Sequence, residues 1–160
     1  NLGPRNRFDF NLSHKPGQVT CLVGYGRDLG VDVEDAAANR PYLFDIADRF
    51  FSPFEAAGLR ALPPAKQIER FYELWTLKES YIKARGMGLS LGLSRFSFSI
   101  TGSQASVRFD DGFDDDAASW EFQLFRPDGR HLIATSVRRL PQPLIIETFD
   151  ASGVVFDALG

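Results

Sequence analysis

Three acidic residues carry the first chemical suggestion in this sequence. Ile68, Tyr72, Trp75, Glu79 and Ile82 recur at spacings of four, three, four and three, one continuous face of a helix. A carboxylate on an otherwise apolar face is costly unless it is paired or bound to a metal. Two structural readings exist for Glu79: a residue tolerated at the edge of the stripe, or an ion pair with Lys83 one turn on. Asp32 and Glu34 widen the choice. In Gly30-Val31-Asp32-Val33-Glu34 the strand period projects both carboxylates from one face. Taken alone, the pair reads as a solvated strand face. Two like charges that close are stabilised by a cation between them. With Glu79 added from a neighbouring helix, three hard oxygen ligands suit Mg²⁺, water and a substrate phosphate completing the octahedron.

Ser13-His14 ends another half-buried strand. Sequence neighbours rarely present the geometry of a nucleophilic Ser–His pair, and there is no nucleophile elbow. The alternatives are a turn histidine, or a hydroxyl and an imidazole that donate to phosphate. Lys78 and Lys83 bracket Glu79 and would flank a metal-bound phosphate, although Lys78 lies off the Glu79 face and fits a solvated helix lysine better. Gly24, Gly26 and Gly30 are one residue too widely spaced for a dinucleotide fingerprint. His14 and His131 are the only histidines and Cys21 the only cysteine, so a zinc site and an intrachain disulfide both drop out. Glu55 fits a capping box with Ser52.

The elements that must position these residues follow from pattern. Phe8, Phe10 and Leu12 alternate with Asp9, Asn11 and Ser13, the period of a half-buried strand. Pro16-Gly17 predicts a turn, Val19 to Tyr25 a second strand, and Gly30 to Glu34 a third. Helices are predicted over Pro41 to Phe51, from Ser52 onward, and from Pro64 to Arg85, with Gly86 and Gly88 to end the last. Strands return over Ser94 to Ile100, Ser103 to Phe109, Trp120 to Phe125 and His131 to Val137, and Leu144 to Phe156 reads as one more hairpin. The class is α+β: an antiparallel sheet packed with about three helices, one unit over residues 1–160. The 160 residues carry 18 Lys+Arg against 21 Asp+Glu, a balance that gives no support to a nucleic-acid binder. No run approaches the ~20 apolar residues of a membrane span. The chain starts at Asn1 and has Met only at position 87, so the expectation is a fragment or a processed product.

Read together, the blocks Phe10-Asn11-Leu12-Ser13-His14, Gly30-Val31-Asp32-Val33-Glu34, Arg49-Phe50-Phe51-Ser52, Trp75-Thr76-Leu77-Lys78-Glu79-Ser80-Tyr81-Ile82-Lys83-Ala84 and Gly86-Met87-Gly88-Leu89-Ser90 resemble the 4′-phosphopantetheinyl transferases, in particular the two-lobed type that activates peptide and polyketide synthases. Each block is weak; the ordered set, from about Phe8 to Ile100, is specific. The resemblance implies transfer of the phosphopantetheine arm of coenzyme A onto a carrier-protein serine, with release of 3′,5′-adenosine diphosphate. It implies that Asp32, Glu34 and Glu79 bind Mg²⁺, that Ser13 and His14 hold phosphates of coenzyme A, and that Lys83 stands beside the transferred phosphate. Glu79 also matches the carboxylate proposed to deprotonate the serine.

Two-lobed members place their active site between this lobe and an N-terminal lobe of comparable size. Here the matching region begins within ten residues of Asn1, so the expectation is that a partner lobe or a homo-oligomeric copy completes the site, with Arg5 and Arg7 as partial substitutes. The resemblance also implies an acidic, helical carrier as partner. Phe44, Ile46, Phe50, Phe51 and Phe54, with Arg40 and Arg49, are a candidate groove for it or simply core. A cytoplasmic location is expected. Two other readings use the same carboxylates: a lobe that binds coenzyme A and metal without turnover, and a Mg²⁺-dependent phosphohydrolase, which leaves the Ser-His block unexplained.

Overall fold

The computed structural model of the chain describes residues 8–38, 41–141 and 143–151. Two alternating runs separated by Pro16-Gly17 pair as an antiparallel ribbon, β1 (Phe8–Lys15) and β2 (Gln18–Tyr25), with Phe8 opposite Tyr25 and Lys15 opposite Gln18. Gly17 has φ +86°, so the tight turn needs a residue without a Cβ. A second, five-stranded antiparallel sheet has the order β3-β7-β6-β5-β4. Its strands are β3 (Leu29–Asp35), β4 (Phe96–Thr101), β5 (Gln104–Phe109), β6 (Trp120–Phe125) and β7 (His131–Arg138). Between β3 and β4 run three helices, α1 (Leu43–Phe50), α2 (Pro53–Ala61) and α3 (Pro64–Arg85). The expected α+β class holds, with the antiparallel strands divided between two sheets. No helix among the described residues is long and apolar enough to cross a membrane. The hairpin expected over Leu144 to Phe156 is not formed in residues 144–151, which carry no strand, and residues 152–156 lie outside the described residues.

The polarity of the β1–β2 ribbon is the reverse of what alternation suggests. Phe8, Phe10 and Leu12 face solvent, Phe10 at 62% exposure, while Ser13 is buried. Val19, Val23 and Tyr25 of β2 are exposed beside them. The cause is the backbone of β3. As the edge of its sheet, β3 has amides with no strand to receive them. Asn11 Oδ1 accepts from Val31 N–H at 2.9 Å and Ser13 Oγ from Val33 N–H at 3.2 Å. The polar face of β1 therefore turns inward to satisfy buried donors. Leu22 of β2 follows it and packs on Val31, Val33 and Ile133.

The core of α3 is also displaced from the predicted stripe. Phe71, Leu74, Leu77 and Tyr81 face the main cluster with Phe96, Phe98, Trp120, Phe122 and Leu132 from the sheet. Of the predicted stripe, Tyr72 and Ile82 are buried, but Ile68 is 49% exposed and Trp75 and Glu79 stand at the margin. The stripe marks the seam between α3 and β3, with the core one position round the helix.

Lys78 corrects the sequence reading most sharply: it is fully buried. Its Nζ donates to Leu93 O and Phe96 O, both at 2.7 Å, and pairs with Glu55 Oε2 at 2.8 Å. All three ammonium donors have acceptors, and Nζ also lies 4.2 Å from the centroid of the Phe96 ring. Glu55 does close the capping box with Ser52, and it does more. One carboxylate oxygen accepts the Ser52 amide at 2.9 Å and the other the Phe98 amide at 2.8 Å. Burial pulls the Lys78 ammonium below the usual lysine range, and the Glu55 charge opposes that fall. A Lys78→Met variant strands the Glu55 carboxylate and should lose about 3–5 kcal/mol in urea denaturation. In a double-mutant cycle Glu55→Gln should cost much less on that background than alone; additive losses would deny the pair its anchoring role.

Candidate active site

β3 divides its side chains between two environments. Val31 and Val33 face the β2 side, while Asp32 and Glu34 face α3, 6% and 5% exposed. The solvated-face reading of this pair therefore fails. Each carboxylate has a lysine. Lys83 Nζ lies 2.7 Å from Asp32 Oδ1, 3.1 Å from Ser13 Oγ and 3.1 Å from Val31 O. Lys15 Nζ lies 3.1 Å from Glu34 Oε2, and Trp75 Nε1–H donates to Glu34 Oε1 at 3.1 Å. Ser13 Oγ approaches Asp32 Oδ1 at 2.9 Å, so the hydroxyl links β1, β3 and α3.

Glu79 completes the wall on the α3 side. Burial raises its carboxyl above the usual carboxylate range, the charges of Asp32 and Glu34 raise it further, and Lys83 and Lys15 oppose them. The Glu79–Lys83 pairing considered from sequence is displaced, because Lys83 reaches across to Asp32 instead. Leu12, Ser13, His14, Lys15, Asp32, Glu34, Trp75, Glu79 and Lys83 line one open cleft of about 470 Å³. All six residues singled out by sequence thus meet there, His14 from an exposed position.

Lys15 and Trp75 were missed as site residues. Lys15 directly follows Ser13-His14, and a strand end that presents one polar group to a cleft tends to present its neighbours. Trp75 was visible as a stripe residue, and a half-buried indole N–H needs an acceptor. Arg5, Arg7 and Arg40 lie outside the described residues. The aromatic segment splits: Phe51 is buried and Phe50 packs against the core, whereas Phe44 and Phe54 are exposed, lying near Arg60 and Arg108.

The cleft has the donor set for a hard divalent cation. Asp32 Oδ2 is buried with no hydrogen-bond partner among the described residues, and Asp32 lines the cleft with Glu34 and Glu79. Among the described residues no three Asp, Glu, His or Cys side chains are already drawn together as a metal cage; the lysines hold the strand carboxylates. Carboxylate oxygens on three positions fit Mg²⁺ or Ca²⁺ far better than a soft metal.

The family model of the 4′-phosphopantetheinyl transferase superfamily matches residues 28–136. The chain belongs to this superfamily. A 4′-phosphopantetheinyl transferase from Bacillus subtilis is 41% identical over 104 residues, 64% of this chain and 45% of that protein. The transferase HetI from Nostoc sp. is 32% identical over 128 residues, 80% of this chain and 51% of its own. The human L-aminoadipate-semialdehyde dehydrogenase-phosphopantetheinyl transferase is 28% identical over 149 residues, 85% and 48% respectively. The chain spans about half the length of these curated relatives. Its fold matches a holo-(acyl-carrier-protein) synthase from Bacillus anthracis, solved in complex with coenzyme A, with a TM-score of 0.53 at 15% identity, over 69% of this chain and 94% of that one.

Helix α3 can bring Glu79 and Lys83 so close to β3 because Gly30 lies beneath it. A Cβ at Gly30 would stand 2.1 Å from Ser80 O and 2.5 Å from Ala84 N, both backbone atoms of α3 next to those two side chains. Gly30→Ala should therefore cost about 1–3 kcal/mol or more by thermal denaturation. Adding Ala84→Gly should recover none of it, since the obstruction is main chain; full recovery would refute the close-approach account.

Proposed function

We propose that this cleft transfers the 4′-phosphopantetheine arm of coenzyme A to a serine of an acyl or peptidyl carrier protein, and that it does so with Mg²⁺. The observation that supports the reading is the convergence of Asp32, Glu34, Glu79, Ser13, His14 and Lys83 on one cleft in a chain of this superfamily.

Asp32, Glu34 and Glu79 are the residues that would hold the cation, the orphaned Asp32 Oδ2 being ready for it. Bound there, the cation would neutralise charge on the coenzyme A pyrophosphate. To receive it, Asp32 and Glu34 would exchange lysine contacts for the ion, which frees Lys83 and Lys15 to meet phosphate oxygens. Ser13 and His14, at the end of β1, would donate to phosphates of coenzyme A. Glu79, with its raised proton affinity, would take the hydroxyl proton of the carrier serine, directly or through a water. The serine oxygen forms its bond to phosphorus as the bond to the bridging pyrophosphate oxygen breaks, and the leaving phosphate departs on 3′,5′-adenosine diphosphate. Such chemistry depends mainly on positioning and charge neutralisation.

The outward apolar face of the β1–β2 ribbon supports a further part to the assembly. Phe8, Phe10, Leu12, Val19, Val23 and Tyr25 form an exposed sheet face, uncovered among the described residues, on the ribbon that bears Ser13 and His14. Such a face marks an interaction site. A partner lobe supplied by the remaining length of the relatives, or a second copy of the chain, would cover it, and we place this assembly in the cytoplasm.

Incubation of the 160-residue chain with coenzyme A, Mg²⁺ and an apo carrier protein should add about 340 Da to the carrier, the mass of the transferred arm. Chelation of the metal should abolish the gain. No gain from this chain together with full activity in a longer one would reduce it to a binding lobe, and phosphoester hydrolysis without a carrier would favour the phosphohydrolase. Glu79→Ala should lower turnover by about a hundredfold or more while its circular dichroism spectrum and melting stay native. Wild-type turnover in that variant would remove Glu79 from the mechanism.

A further inference from the structure

His131 lies outside the cleft and has no part in the chemistry above, yet its surroundings dictate its protonation. Its side chain is 5% exposed. Nδ1 lies 2.8 Å from Asp128 Oδ2, and Nε2 lies 3.0 Å from Pro16 O. Both partners only accept. A neutral imidazole has one N–H, so both contacts are hydrogen bonds only when the ring is the imidazolium. Asp128 is itself fixed, because its Oδ1 accepts the His131 amide at 2.6 Å and the Arg130 amide at 2.7 Å. Among the described residues, two further charged groups of the neighbouring elements have partners of their own. Arg130 binds Asp35, the cross-strand neighbour of His131 on β3, at 2.5 Å, and Lys15 of β1 reaches Glu34.

Pro16 immediately follows Ser13-His14-Lys15, the segment of β1 that lines the cleft. The ribbon meets the edge of β3 through the side chains of Asn11 and Ser13, and its turn is secured by the His131 ring, which lies against Gly17 as well. We propose that His131 is a positioning residue: as an imidazolium it clamps the β1–β2 turn to the β6–β7 turn and so holds Ser13, His14 and Lys15 at the cleft. The functional part of this inference rests on the reading of the cleft given above; the clamp itself does not.

The direction with pH follows. The hydrogen bond to Asp128 raises the His131 value above its ordinary 6.5, the Pro16 carbonyl adds to it, and Asp128 is held down to about 2. A group whose folded value is raised contributes its full stability below the unfolded value and loses it as pH climbs through the folded one. The clamp is therefore closed at pH 6 and opens on the alkaline side of the His131 titration.

The ring proton of His131 should titrate in NMR of the full chain with a midpoint above 6.5. Exchange of the β1 and β2 amides nearest the turn, corrected for intrinsic rates, should quicken by about tenfold with that same midpoint. His131→Gln should make that exchange fast and independent of pH, and should raise KM for coenzyme A more than it lowers kcat. Asp128→Asn should move the wild-type midpoint downward. A wild-type His131 midpoint at or below 6.5, or turn protection indifferent to its titration, would overturn the clamp, and that measurement needs no variant to fold. A titration-linked clamp together with no transfer from either this chain or a longer one would instead overturn the reading of the cleft and leave the clamp standing.

Discussion

Lys78 and Glu55 hold the architecture together from its driest point. Both side chains are buried, so each charge must find its partners within the protein. Lys78 takes carbonyls from the segment that leads into β4, Glu55 takes amides from the start of α2 and from β4 itself, and the two take each other. Two helices and one strand are thereby fixed around a single bond. Five residues further along α3, Lys83 repeats the device at the margin of the core, and its ammonium collects oxygens from β1 and β3. The first lysine sets where α3 lies on the sheet; the second gathers the cleft around it.

That division gives the site its electrical character. Three carboxylates and two lysines line an open cleft, so the wall keeps an excess of negative charge and one unsatisfied oxygen on Asp32. The lysines keep the carboxylates from repelling one another apart.

Much of this was legible in the chain. Strand and helix periodicities place Asp32, Glu34 and Glu79 on defined faces. A strand end and the turn after Glu79 mark Ser13, His14 and Lys83, a selection that the resemblance of the ordered blocks reinforces; the fold brings all six to one cleft. The helices, most strands, the Ser52–Glu55 cap and the Gly86 stop follow local rules that tertiary packing did not override. The failures share one cause. Lys78 reads as a surface residue because periodicity reports polarity, and polarity says nothing of two carbonyls and a carboxylate arriving from distant sequence. Phe10 and Leu12 read as the inward face because alternation cannot show which side of a ribbon meets an edge strand in need of acceptors. Asp128, three residues before His131, is a local partner, but Pro16 comes from a distant turn that only the fold brings to the ring.

The attachment of β1 to β3 through side chains has a consequence for what changes the ribbon can accommodate. Surface hairpins ordinarily absorb insertions and deletions well. Here one residue gained or lost between Asn11 and Ser13 would rotate every following side chain of the strand to the opposite face. Leucine or histidine would then confront the amide of Val33, and the serine that now accepts from it would point at solvent. Drift in length, tolerated at the loops of the main sheet, is closed to this strand; substitution alone can vary it.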